Sequence, residues 1–172
     1  QTCALPICDG LNEMGNRLPA VNLGTGRRAK AITAGGQHAC AILDNGTVKC
    51  WGANNVGQLG LGDTFNRGDE PDEMGNDLPV VDLGVGRKAK AIAAGGLYTC
   101  ALLDNGTVKC WGYGEQLGLG DTADRGDEPD EMGDYLPAIA FGDSRRVKEL
   151  RAEAYSACVL LDNATVKCWG RN

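Results

Sequence analysis

Cys40-Ala-Ile-Leu-Asp-Asn-Gly-Thr-Val-Lys-Cys50-Trp51-Gly52 decides how this chain folds. Two short β-prone runs, residues 40–43 and 47–50, flank Asp44-Asn45-Gly46. That is the signature of a hairpin with a three-residue loop and glycine at the left-handed position. If Leu43 faces Thr47, then Ile42 faces Val48, Ala41 faces Lys49 and Cys40 faces Cys50. Cys40–Cys50 then falls at a non-hydrogen-bonded site, where Cα atoms approach to about 4.5 Å, within reach of a disulfide. A two-residue Asn-Gly turn would instead set Cys40 against Trp51.

The stretch recurs. Cys100 to Gly112 and Cys158 to Gly170 repeat it at steps of 60 and 58 residues. Upstream, Glu-Met-Gly-x-x-Leu-Pro begins at Glu13, Glu73 and Glu131. A basic run follows each, from Arg27, Arg87 and Arg145. The third copy puts Glu153-Ala154 where the others have Gly35-Gly36 and Gly95-Gly96, as a capping repeat would. It stops at Asn172 before a Gly-Gln-Leu-Gly tail, so it reads as cut within the unit. The boundaries are an arm at 1–11 and repeats at 12–71, 72–129 and 130–172. The start at Gln1 reads as a processed chain or a piece of a longer one.

The same register predicts disulfides Cys40–Cys50, Cys100–Cys110 and Cys158–Cys168. Cys3 and Cys8 remain, to pair with each other or with other chains. Zinc is disfavoured, because its sites prefer closer cysteine spacing and the chain holds 1 histidine. Eight cysteines arranged this way point to an oxidising compartment.

The bulk properties agree with turns and short strands: 26 glycines in 172 residues, and 5% aromatics. The net charge of −6 is diffuse, which argues against a nucleic-acid partner needing clustered Lys and Arg. No apolar run is long enough for a membrane span.

The repeated Ala-Gly-Gly-x-x-x-Cys-Ala-Leu-Leu-Asp-Asn-Gly-Thr-Val-Lys-Cys-Trp-Gly, followed by Gly-Gln-Leu-Gly-Leu-Gly, resembles the regulator of chromosome condensation repeat. It is most similar to the cysteine-bearing version of secreted bacterial proteins. The resemblance runs from about Asn12 to the end. It implies an all-β, propeller-type fold: three blades of about four antiparallel strands each, left open or completed by other chains.

Several residues are candidates for function. His38 corresponds to Tyr98 and Ser156 in the other repeats, so no catalytic or ligand set recurs and no enzyme is expected. Asn45, Asn105 and Asn163 head Asn-x-Thr sequons at the hairpin tips, candidates for glycosylation; Asp-Asn-Gly is equally ordinary turn chemistry. Asp63, Asp69, Asp121 and Asp127 lie in acidic loops that offer calcium oxygen ligands, the one cofactor considered. Arg67-Gly-Asp69 and Arg125-Gly-Asp127 spell an adhesion-type tripeptide. The basic runs (Arg27, Arg87, Arg145) and the acidic marks (Glu73, Glu131) repeat at one period, which suggests charge pairing between adjacent blades or between chains.

The leading functional expectation is a secreted, non-catalytic repeat protein. It would assemble with copies of itself, head to tail into a ring or filament, through open blade faces. The second is an extracellular binding module for a protein or glycan, inhibitor- or adhesin-like. The third, implied by the family's namesake, is nucleotide exchange on a GTPase.

Overall fold

The computed structural model describes residues 15–142 and 145–171. The Cys3–Cys8 arm and Glu13 lie outside the described residues. The described chain forms three antiparallel sheets of three strands each. Blade 1 holds β1 (Ala29–Ala34), β2 (His38–Leu43) and β3 (Val48–Gly52). Blade 2 holds β4 (Ala89–Ala94), β5 (Tyr98–Leu103) and β6 (Val108–Gly112). Blade 3 holds β7 (Val147–Ala152), β8 (Ser156–Leu161) and β9 (Val166–Gly170). In each the middle strand is the second in sequence.

The hairpin register is the one the cysteine spacing demands: Cys40 faces Cys50, Ala41 faces Lys49 and Ile42 faces Val48. The Leu43 N–H donates to the Thr47 carbonyl at 2.8 Å, and Gly46 closes the loop at φ +85°. The third copy puts Ala164 in the same left-handed position, at φ +64°. That conformation costs an L-residue about 1 kcal/mol.

The expected fourth strand shrinks to a single bridge, Gly52 to Arg67 and again Gly112 to Arg125. The backbone explains why. Just past the bridge, Gly68 turns to φ +91° and Asp72 to φ +65° around Pro71, so no extended run continues. Gly126 and Asp130 repeat the turn in blade 2.

The alternation of side chains gives each blade two unlike faces. One carries the disulfide with Ile42 and Val48, or Leu102 and Val108. The other carries the tryptophan with Ala41 and Leu43, or their counterparts. Blade 1's disulfide face packs against blade 2's tryptophan face, joining Ile42, Val48 and Leu59 to Leu103, Trp111 and Leu136. Blade 2's disulfide face packs in the same way against Val159, Leu161 and Trp169 of blade 3.

The turns between the first two strands of neighbouring blades touch backbone to backbone. The Gly36 N–H lies 3.1 Å from the Gly95 carbonyl, and a Cβ on Gly35 would sit 2.3 Å from that oxygen. This contact requires the Gly-Gly pairs. In blade 3 the exposed Ala154 only accepts a bond from Gly96, at 2.8 Å, so a side chain is tolerated there.

Candidate functional site

The seam between blades 1 and 2 holds a buried polar chain. His38 Nε2 lies 2.8 Å from Thr99 Oγ1, and the Thr99 hydroxyl donates to the Gln58 carbonyl at 2.9 Å. Trp111 Nε1 donates to the same carbonyl at 3.1 Å. Threonine has a single hydroxyl proton, and Gln58 takes it. His38 therefore donates from Nε2, and Nδ1 keeps its lone pair. Nδ1 is buried without a partner. A second proton there would have no acceptor, and burial holds the His38 pKa down, from 6.5 to about 4. His38 is thus a neutral seam residue linking two blades, with no nucleophile on it.

The second seam is built differently. Ala157 replaces Thr99, and Tyr98 replaces His38. The Tyr98 hydroxyl lies 2.6 Å from the Ser156 carbonyl and 3.1 Å from that of Glu153. Burial raises its pKa to about 12. Trp169 Nε1 is buried without a partner. The two residues missing after Trp111 reshape the loop that would supply one, leaving a 3-10 turn over Gly114–Gln116.

Three lysines tie the blades to the connecting segments beside them. Lys49 Nζ donates to the Gly75 carbonyl, Lys109 Nζ to Gly133 at 2.6 Å and Leu83 at 3.3 Å, and Lys167 Nζ to Phe141 at 2.7 Å. Burial pushes Lys49 and Lys109 below the usual lysine range, against the nearby carboxylates of Asp77 and of Asp134 and Asp82. Sequence reasoning missed this clamp. Its signal was the lysine repeated at one position of all three hairpins, Lys49, Lys109 and Lys167.

The structure pairs Cys40 with Cys50, Cys100 with Cys110 and Cys158 with Cys168, each with Cα atoms 4.1 Å apart. Asn45, Asn105 and Asn163 stand exposed at the three hairpin tips. Each side-chain oxygen accepts from the threonine two residues on, through its N–H and its hydroxyl.

The expected charge pairing between blades is not what the structure contains. Arg27 pairs with Asp44 at 3.2 Å, Arg87 with Asp104 at 3.3 Å and Arg145 with Asp162 at 3.8 Å, each within one blade. The antiparallel register is the reason: it sets the residues just before the first strand beside the tip of the following hairpin. Glu73 and Glu131 instead cap their own loops, accepting from Gly68 and Glu70, and from Gly126 and Glu128.

In the acidic loops, three of the four candidate calcium ligands are engaged by neighbouring side chains. Asp63 pairs with Arg67 at 2.6 Å and Asp121 with Arg125 at 2.9 Å. Asp69 accepts from Asn66, and Asp127 Oδ1 is buried without a partner. Among the described residues no three His, Cys, Asp or Glu gather as a metal-binding group. The same ion pairs draw the arginines of both Arg-Gly-Asp tripeptides inward; the Arg67 side chain is 16% exposed. No described helix is long and apolar enough to cross a membrane.

Blades 1 and 3 each leave one face partly uncovered, and the third leaves its disulfide face. Its disulfide face is a grid of paired residues: Glu149, Leu160 and Val166 in one row, Arg151, Cys158 and Cys168 in the next. Val166 is 63% exposed, while its counterparts Val48 and Val108 are at 0%. At the other end, Ala41, Leu43 and Trp51 are buried with Leu78, against Leu23 and Met74, while Ile32, opposite Ala41 on the same face, is 77% exposed.

Three like blades, stacked unlike face to unlike face, define an all-β propeller-type repeat array. Sequence models of the regulator of chromosome condensation (RCC1) repeat match residues 29–58 and 89–116, and residues 45–102. Together they run over just more than half of the chain, and the chain belongs to this repeat family. It is 38% identical over 102 residues to the ultraviolet-B receptor UVR8 of Arabidopsis thaliana, covering 58% of this chain and 21% of that protein. The crystal structure of human WBSCR16 superposes with a TM-score of 0.63 at 22% identity, over 87% of this chain and 37% of that one. Yeast RCC1 (Prp20), crystallised with Kap60, gives 0.57 at 19%, over 83% and 32%. The chain thus spans about a fifth to two fifths of the length of these three proteins.

Proposed function

We propose that this chain is a secreted, non-catalytic protein-binding module, and that its docking surface is the disulfide face of blade 3, which pairs with the same face of a second copy. The exposure of Val166 carries this reading. The equivalent valine is covered by a neighbouring blade twice within the same chain. The grid also bears one acid and one base, Glu149 and Arg151, where the other blades have Ala31 and Thr33 or Ala91 and Ala93. Two such faces related by a twofold axis set Glu149 against Arg151 in both directions. A twofold pair uses this one face twice and closes on itself, which sets it apart from the head-to-tail ring or filament. The three hairpin disulfides favour an oxidising compartment. That yeast RCC1 is seen bound to Kap60 supports protein binding as the use of such a fold.

Light scattering of the oxidised protein over a concentration series tests this. The expected mass rises from 18.0 kDa toward twice that value, and Val166→Glu abolishes the rise. A monomer at every concentration would overturn the docking face. Growth past two copies would overturn the twofold pairing.

A further inference from the structure

The three disulfides occupy equivalent positions in unequal surroundings. Cys40, Cys50, Cys100 and Cys110 are 0% exposed. Cys168 is exposed and Cys158 half-buried. A second difference lies across the ladder. The residue opposite Cys40 is Thr33, and opposite Cys100 it is Ala93, but opposite Cys158 it is Arg151. Directly opposed side chains in an antiparallel pair begin about 5 Å apart. Arg151 also reaches Glu149 and the Leu150 carbonyl, yet its side chain is 74% exposed and stays on this face.

We propose that Cys158–Cys168 is a thiol-exchange site for small thiols of the glutathione class, with Arg151 as its positioning residue. The incoming thiolate attacks Cys168 Sγ, the sulfur of the more exposed residue. The Sγ–Sγ bond breaks, and its electron pair leaves on Cys158 Sγ as a thiolate beside the Arg151 guanidinium. A mixed disulfide forms on Cys168. A second thiol attacks it, releases the oxidised small disulfide and leaves Cys168 as a thiolate, so two thiols supply the two electrons. A cation beside the leaving sulfur lowers that thiol's pKa and speeds its departure. The other two disulfides lack both access and cation. This site does not depend on the pairing of copies, which would only cover it.

The test uses the oxidised chain, diluted until light scattering shows a monomer. Reduced glutathione is added at mildly alkaline pH, the reaction is trapped with N-ethylmaleimide, and the peptides are mapped by mass. Glutathione is expected on Cys168 and maleimide on Cys158, at least about 10-fold faster than label on any buried cysteine. Arg151→Ala slows the exchange several-fold, while Arg151→Lys retains most of the rate. Simultaneous labelling of all six hairpin cysteines would mean opening through unfolding, and would overturn the site. Glutathione found first on Cys158, or an Arg151→Ala rate equal to the unaltered protein's, would overturn the proposed mechanism.

Discussion

Acid should open the first seam through His38. Its pKa falls from 6.5 to about 4 on folding, because the ring is buried and only the Nε2–H form fits between Thr99 and the unpartnered side of Nδ1. The folded state therefore resists a proton that the unfolded chain accepts. The stabilisation is complete above the unfolded pKa and is lost as pH falls from there toward the folded pKa. Each unit is worth about 1.4 kcal/mol, so the full loss is roughly 3 kcal/mol, of which about 2 kcal/mol is gone by about pH 5. Carboxylates also titrate in this range, so the comparison is with His38→Gln, which keeps a donor for Thr99 and carries no charge. Urea unfolding, with the disulfides intact, gives the stability of each protein near neutral pH and again at about pH 5. The unaltered protein should lose about 2 kcal/mol more than the variant between the two conditions. Equal losses would refute the reasoning, since they would show that His38 takes its proton at no cost in the fold.

Other substitutions probe the remaining contacts. Lys109→Met strips the Leu83 and Gly133 carbonyls of their buried donor and should cost about 1–3 kcal/mol by urea unfolding; Lys167→Met, on the more exposed third blade, should cost clearly less. Trp111→Phe loses the bond to the Gln58 carbonyl, so it should destabilise by about 1 kcal/mol more than Trp169→Phe, whose indole nitrogen has no partner to lose. Ala164→Gly relieves a left-handed alanine and should raise the thermal midpoint, by an increment of up to about 1 kcal/mol in stability.

Much of the local structure was legible because it rests on short-range geometry. The ten-residue spacing of Cys40 and Cys50, with Asp-Asn-Gly at its centre, admits one hairpin register that joins the two sulfurs. Repetition of the same stretch at Cys100 and Cys158 then gives three blades. The charge pairs were misread for a related reason. Arg27 and Glu73 share a period, but a period alone says nothing about which neighbour a side chain meets. The strand register brings Arg27 to Asp44 in its own blade.

The sequence alone determined the repeat, the hairpins, the cysteine partners and the family. These depend on backbone preferences and on contacts between residues close in the chain. Only the tertiary structure decided which surroundings each copy receives. His38 and Tyr98 stand at the same hairpin position, yet one bridges to a threonine on the next blade and the other to backbone carbonyls. Cys50 and Cys168 end the same motif, yet one is sealed beneath a neighbouring blade and the other faces solvent. The physical reason is that burial, and with it pKa and reactivity, is set by what the next blade places against a face, and that neighbour lies about sixty residues away in the chain.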